Sequence, residues 1–285
     1  MKLTLDVEEA IYTTRVDSSD VVVRSGFDQH GMLQFRDFDI VLDSGAYADN
    51  SPLVIAKAVN RCFGPYRVPH LRVNGRSVYT NTSPASSYRG FGTSQGASAG
   101  ELNMDQAAGA LGIDPFELRR RNVVRPGEEI LPGKRGLDAD IAADLDMLEA
   151  SLRKDERQET GYAIGVACTA SDAGAFPVST AQIRIQTDGS VVVASGSTEM
   201  GQGSRSALAQ IAGEELGIEL AAVEVVQAGS TGPYERTTGA SRTTTLVGIA
   251  VQRACADARA KLAEMAAEIT GTTVDSWSAS DGGMR

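Results

Sequence analysis

Val21-Val22-Val23-Arg24 and the alternating run Met32-Leu33-Gln34-Phe35-Arg36-Asp37-Phe38-Asp39-Ile40-Val41-Leu42 flank a polar turn, Asp28-Gln29-His30-Gly31. Period-2 alternation on both sides of a short turn with glycine predicts a β-hairpin. Ser51-Pro52 then opens a predicted helix to about residue 62, because a proline in the first turn lacks only an N–H that has no helical partner. Leu71-Arg72-Val73-Asn74 and Ser77-Val78-Tyr79 read as strand. Residues 81–97 form a loop rich in Ser, Thr, Pro and Gly, and a helix over 96–111 follows, stopped by Gly112. Asp114-Pro115-Phe116-Glu117 predicts the next helix start: Asp114 caps, Pro115 takes the first position and Glu117 completes a capping box. Arg119, Arg120 and Arg121 close that helix, where cations oppose the negative dipole end, a reading preferred over a binding patch.

Two Pro-Gly pairs within 124–138 mark a boundary, and a charged helix is expected over 141–158. Strand patterns return at 163–168, 181–185 and 191–194, the last two joined by an Asp188-Gly189 turn. Two strand–loop–helix passages follow. One leaves the strand at 191–195 through Gly196-Ser197-Thr198-Glu199-Met200-Gly201-Gln202-Gly203 into a helix over 204–216. The other leaves a strand at 223–227 through Thr237-Thr238-Gly239-Ala240-Ser241-Arg242-Thr243 into a helix over 246–269. The turn signal at Asp281-Gly282-Gly283 has only Met284 and Arg285 after it, so the expectation is a chain that stops mid-domain. The fold class expected is α+β: two mixed α/β subdomains over 1–124 and 159–285, a linker and connecting helix over 125–158 between them, truncated at both ends.

Charge narrows the function classes. With 27 basic and 37 acidic residues, a net charge of −10 disfavours a nucleic-acid groove, which needs clustered Lys and Arg. It leaves open the binding of one small anion through backbone N–H groups. No run of about 18 apolar residues is present, so no membrane span is expected. Cys62, Cys168 and Cys255 lie far apart without a C-x-x-C, which excludes a disulfide framework and a structural zinc site from this chain. His30 and His70 read as structural or solvent-facing, and the expected setting is reduced and cytoplasmic. Glycine is the outlier: 30 in 285 residues, where ~7% is usual.

A loop that enters a helix presents unpaired N–H groups, and glycine lets a ligand approach that backbone. The 238–245 loop adds hydroxyls and so reads as a cradle for a phosphate or other polyoxygen anion. Gln202, between Gly201 and Gly203, carries an amide that can donate to an oxo ligand. Neither a Gly-Lys-Ser/Thr P-loop nor a strand-borne G-x-G-x-x-G is present. Ser87-Tyr88-Arg89-Gly90-Phe91-Gly92 offers a bidentate donor, Arg89, and a ring face, Phe91. For each loop the plainer alternative is an ordinary turn, cap or core contact.

Taken in order, several motifs form a specific set. They are Asp43-Ser44-Gly45-Ala46-Tyr47-Ala48, Gly64-Pro65-Tyr66, Tyr88-Arg89-Gly90-Phe91-Gly92 with Gln95, Gly112-Ile113-Asp114-Pro115-Phe116-Glu117-Leu118-Arg119, Thr198-Glu199-Met200-Gly201-Gln202-Gly203 and Thr238-Gly239-Ala240-Ser241. The set resembles the molybdenum-binding large subunit of the xanthine dehydrogenase/aldehyde oxidase family of molybdenum hydroxylases, over nearly the whole chain. The resemblance implies a molybdopterin cofactor, in bacterial members usually the cytosine dinucleotide form. By position, Gly201, Gln202, Gly203, Ala240, Ser241 and Thr243 would line it, with Gly90, Gly92 and Gly239 also close to it. Arg89, Phe91, Ala175 and Phe176 would orient and enclose a small aromatic or aldehyde substrate. The implied chemistry is hydroxylation of an N-heterocycle, aldehyde or aromatic thioester with oxygen from water. Electrons would leave through [2Fe–2S] clusters to FAD on partner subunits or domains, in an oligomer of heterotrimers.

The sequence departs from the family in three places. The base glutamate of the family falls beyond Arg285, and a glycine–phenylalanine loop falls before Met1, so this chain alone is expected to be inactive. Arg15-Val16-Asp17-Ser18-Ser19 stands where an Arg-His-Pro-like stretch is common, which weakens a xanthine reading. Within the family, Gly90 stands where the carbon monoxide dehydrogenase branch carries a cysteine, which disfavours that branch. Two other readings stay open: a non-catalytic remnant or assembly subunit of the same fold, and an unrelated anion-binding α/β module.

Overall fold

Asp28 sets the first turn: its Oδ1 accepts from the backbone N–H of His30 and of Met32, both at 2.9 Å. The computed structural model describes residues 3–154, 161–171, 178–227, 229, 231–280 and 283–284. The chain enters through α1 (Val7–Thr13) and β1 (Arg15–Val16). Strands β2 (Ser18–Phe27) and β3 (Leu33–Gly45) then form the expected hairpin. Helix α2 (Ser51–Val59) crosses over to β4 (His70–Tyr79), which pairs parallel with β3. The sequence suggested two short strands here. The ladder instead continues through Gly75, where a Cβ would stand 2.3 Å from Val59 Cγ2, so glycine keeps the strand whole beneath α2.

β5 (Ala85–Ser86) pairs parallel with β1 and leads into α3 (Thr93–Leu111). Every second residue of β3 from Arg36 to Ser44 is buried, and Phe38, Ile40 and Leu42 pack on Val54, Ala58 and Cys62. Burial of such side chains is worth roughly 1.5–3 kcal/mol each, which drives α2 onto the sheet.

Asp114 caps α4 (Pro115–Asn122) by accepting from Phe116 N at 2.9 Å and Glu117 N at 3.2 Å. The capping box does not close. Glu117 turns outward to Arg120 and Arg121, each at 2.8 Å, because two guanidiniums outcompete one backbone N–H. The arginine triplet is structural: Arg119 is fully buried, and Arg120 joins Asp146 and Glu149 on α5 (Ile141–Lys154). Residues 163–168 are not a strand. Val166 and Cys168 are nevertheless buried, and Cys168 N donates to Glu101 Oε2 at 2.8 Å.

The chain divides into two units, Met1–Ser171 and Asp172–Arg285. The second repeats the plan of the first. Strands β6 (Ala181–Ile185) and β7 (Val191–Ser195) form a hairpin. Helix α6 (Ser204–Leu216) crosses over to β8 (Val223–Gln227), parallel to β7. A π-helical turn at Thr243–Val247 leads into α7 (Gly248–Thr270). As α2 lies on β4 and α3 on β2, so α6 lies on β8 and α7 on β6. The core joins Val191 and Val193 to Leu208, Ala212, Val251 and Cys255. Two-residue strands β9 (Ala279–Ser280) and β10 (Gly283–Met284) pair at the end, so the final hairpin has the start of its return strand.

Candidate cofactor site

Each unit places two strand-to-helix loops beyond the carboxyl ends of its parallel strands, the usual place for a ligand in an open α/β sheet. Among the described residues, the non-glycine positions with positive φ are Asp49 (36°), Phe91 (48°), Ala240 (53°) and Ser241 (51°). All four lie in such loops: after β3, before α3 and after β8. Residues in this region cost about 1–2 kcal/mol each and persist where the surroundings over-determine them.

In the second unit the two loops meet. Thr198 N donates to Thr238 Oγ1 at 2.9 Å, joining the 196–203 loop to the 237–243 loop. Gly201, Gln202, Gly203, Gly239, Ala240 and Ser241 are all exposed, and Thr243 begins the π-helical turn. Among the described residues, no atom beyond the chain neighbours comes within 4 Å of where a Cβ would stand on Gly201, Gly203 or Gly239. Below them, Ser197 Oγ is buried and has no hydrogen-bond partner among the described residues.

Glu199 stands inside the Thr198–Gly203 motif with no role assigned from the sequence, yet it organises this loop. Its Oε1 accepts from Gly201 N at 2.8 Å and Gly203 N at 3.1 Å, and its Oε2 from Ser204 Oγ at 2.8 Å and Arg205 N at 3.1 Å. The Arg205 N–H, then the Ser204 hydroxyl and the glycine amides, lower the Glu199 carboxyl to about 2. Two amides at the start of α6, of the cap residue Gly203 and of Arg205, are therefore taken by the chain's own carboxylate. Gln202 folds onto the same loop: Nε2 donates to the Thr198 carbonyl at 2.7 Å and to Ser204 Oγ at 3.3 Å, and Oε1 accepts from Met200 N at 2.6 Å. A carboxylate shortly before G-x-G-Ser at a helix start is the one sequence signal for this role.

In the first unit, Arg89 is exposed on its loop, and the half-buried Phe91 packs on the Phe38–Val54 cluster. Gly92 was expected to approach a cofactor. Its Cβ side faces the protein, where a Cβ would stand 2.2 Å from the Val54 carbonyl oxygen. Gln95 Nε2 donates to the Asp17 carbonyl at 3.2 Å. Ala175 and Phe176 lie outside the described residues.

The three cysteines are buried, and burial pushes Cys62 up to about 12 and Cys168 and Cys255 up to about 11, far from thiolate chemistry. Both histidines are exposed. Among the described residues no group of three His, Cys, Asp or Glu could hold a metal ion, and no helix is long and apolar enough to cross a membrane. A groove of about 920 Å³ opens at the amino-terminal end of β7 and β8 in the second unit, lined by Asp188, Glu214 and Glu219 among others. Its carboxylates suit no anion.

The molybdopterin cofactor-binding domain family matches residues 1–123 and, through a second such domain, residues 140–285. A Bacillus subtilis (strain 168) protein described as a "Probable xanthine dehydrogenase" component is 34% identical over 276 residues, 93% of this chain and 37% of its own length. The xanthine dehydrogenase molybdenum-binding subunit of Escherichia coli O157:H7 is 30% identical, over 85% of this chain and 34% of its own. The crystal structure of quinoline 2-oxidoreductase from Pseudomonas putida 86 superposes with a TM-score of 0.81 at 27% identity, covering 99% of this chain and 39% of that one. The chain thus spans little more than a third of the length of these relatives. It belongs to the molybdopterin cofactor-binding domains of the xanthine dehydrogenase/aldehyde oxidase family of molybdenum hydroxylases.

Proposed function

We propose that this chain forms part of the cofactor and substrate walls of a molybdenum hydroxylase that oxidises an N-heterocycle, an aldehyde or an aromatic thioester. The observation that carries the reading is the joined pair of loops in the second unit: exposed glycine backbone at Gly201, Gly203 and Gly239 beside Ala240 and Ser241 in left-handed backbone. The residues fit a bulky anionic group. Open glycine leaves room for it, and the buried Ser197 hydroxyl supplies an unused polar atom. When bound, the cofactor would supply two-electron oxidation with oxygen taken from water.

The chain's own residues would bind and orient. Gln202 would present its amide to the cofactor by loosening its 3.3 Å contact to Ser204. Ala240, Ser241 and Thr243 would hold the far side through backbone N–H and hydroxyl donors. Glu199 occupies the Gly201, Gly203 and Arg205 amides, so the phosphates would draw on the 238–243 loop instead. Arg89, exposed and flanked by Gly90, would meet a substrate carboxylate or carbonyl, with Phe91 offering apolar surface; for Ala175 and Phe176, outside the described residues, a substrate contact rests on the family resemblance alone. We further assign the cytosine dinucleotide form of the cofactor, [2Fe–2S] and FAD partner subunits, an oligomer of heterotrimers and a cytoplasmic setting.

The test is chemical analysis of the whole subunit that contains this chain, produced with its partners in a host that makes the cofactor. Stoichiometric molybdenum, pterin fluorescence and cytidine monophosphate after acid hydrolysis are expected. Molybdenum and pterin both absent from the folded complex would overturn the reading in favour of a non-catalytic member of the fold.

A further inference from the structure

Glu235 and Arg242 form an ion pair inside the second unit, each side chain only 2% exposed. Arg242 Nη1 donates to Glu235 Oε1, while Nη2 donates to the Val178 carbonyl at 2.6 Å and to Ser179 Oγ at 3.1 Å. The neighbourhood is tied to the same pair. Ser179 bridges Glu235 in antiparallel fashion, and Thr180 Oγ1 donates to the Tyr234 carbonyl at 2.6 Å. Gly196, the first residue beyond β7, lies so close that a Cβ there would stand 2.7 Å from Glu235 Cβ and 2.9 Å from the Pro233 carbonyl. Three segments, around 179, 196 and 234, therefore converge on one guanidinium and one carboxylate.

Arg242 directly follows Ala240 and Ser241, whose φ values of 53° and 51° their side chains disfavour. Such a conformation needs something rigid behind it. A buried ion pair adds little stability over a well-packed apolar pair of the same volume, so stability alone gives no reason for one here. A planar guanidinium that bonds a carboxylate, a carbonyl and a hydroxyl at once does give a fixed direction to the backbone that carries it.

We propose that Glu235 and Arg242 are the positioning residues of this site. The pair anchors the backbone behind Ser241, holds Ala240 and Ser241 in left-handed conformation, and locks the 178–180 segment to the same anchor. Its consequence for cofactor retention rests on the function proposed above; the anchoring itself does not.

The experiment compares Arg242→Met, Arg242→Lys, Glu235→Gln and the double variant Glu235→Gln/Arg242→Met in the whole subunit with its partners. Each is read by melting temperature, by hydrogen–deuterium exchange of the 236–246 peptide, and by pterin content. Arg242→Met leaves a buried carboxylate unpaired, so melting falls. Exchange in 236–246 should rise about tenfold and pterin content should drop. The double variant removes both charges, so its melting should recover while exchange stays fast and pterin stays low. A purely structural pair would recover all three together, and that result would overturn the proposal. If Arg242→Met fails to fold, the double variant and Arg242→Lys still decide. Arg242→Lys keeps the charge without the fork and should exchange at an intermediate rate, and wild-type exchange in both would sink the anchoring. Ser241→Val, with the pair intact, separates the two claims. Full pterin content there would count against the cofactor role of the loop, while the exchange data would still judge the anchor.

Discussion

Gly92, Gly96 and Gly100 fall four residues apart along one side of α3, beginning at its cap, and all three face α2 or the turn after it. A Cβ on them would stand 2.2 Å from the Val54 carbonyl, 2.8 Å from Cys62 Cβ and 2.4 Å from the Cys62 carbonyl. In the second unit, built on the same strand and helix plan, Gly201, Gly203 and Gly239 meet nothing within 4 Å among the described residues. One residue type thus serves opposite ends. In the first unit glycine removes side chains so that two pieces of protein can touch. At Gly201, Gly203 and Gly239 of the second it removes them and no atom of the described residues arrives. The buried charges differ in the same sense. Glu101 accepts from Tyr66 at 2.7 Å, Arg119 at 2.9 Å and Cys168 N at 2.8 Å, binding α3, α4 and the 166–168 segment into one core. Glu235 and Arg242 bind loops at the rim. The glycines are therefore of two kinds, close-packed and open, both present in each unit, and Gly201, Gly203 and Gly239 are open ones that fall in the candidate loops.

The comparison breaks most visibly if the first unit tolerates loss of its buried charge. Glu101→Ala leaves Arg119, fully buried, facing Asp105 alone, with Arg36 also buried nearby. A loss of about 3–5 kcal/mol is expected, read by urea unfolding of the first unit. An unchanged midpoint would mean that the network is incidental. Gly92→Ala comes next. Its φ of 87° and the Val54 carbonyl oppose a methyl group together, and about 3 kcal/mol should be lost in the same assay.

Much of this plan is legible in the sequence. Asp28 and Gly31 announce the first hairpin, Asp114-Pro115 the start of α4, and Gly203 and Gly217 bracket α6 at Ser204–Leu216. These signals are local, and the chain obeys them because each satisfies a backbone group within a few residues. The failures come from distant partners. Alternation at 163–168 reads as strand, but Val166 and Cys168 are buried against α3 and α4, and a carboxylate on α3 takes the Cys168 N–H. The glycine loops are visible as candidate ligand walls, yet which glycines face protein is not. Gly92 and Gly203 both stand at the cap of a helix with positive φ, and only the path of α2 distinguishes them. Glu199 is hidden because nothing in a single carboxylate tells whether it faces water or four donors.

Gly203→Ala sharpens the contrast with Gly92. Its φ is 79°, so a left-handed alanine costs about 1–2 kcal/mol, with no neighbour to resist the methyl group. Melting should fall less than for Gly92→Ala, while pterin content of the whole subunit should fall more. The reverse order would exchange the roles assigned to the two populations.

The smallest effect expected is a pH dependence at Glu199. Its carboxyl is held at about 2, below its ordinary value, by the Arg205 N–H first and then by the Ser204 hydroxyl and the Gly203 and Gly201 amides. A lowered carboxyl means that the folded loop favours the charged form. Its stabilisation is complete above the ordinary carboxylate range and is lost as pH falls toward 2. The loop should therefore loosen between about pH 4.5 and 2. Amide chemical shifts of Gly201, Gly203 and Arg205 should titrate together with the low midpoint, since all three donate to one carboxylate. Glu199→Gln should abolish that titration and leave the loop as loose at pH 7 as the native loop is in acid. The Gly92–Gly100 stripe carries no carboxylate of its own, so amides there should show no matching midpoint. Separate midpoints for Gly201, Gly203 and Arg205 would mean that Glu199 does not hold the loop as a single group.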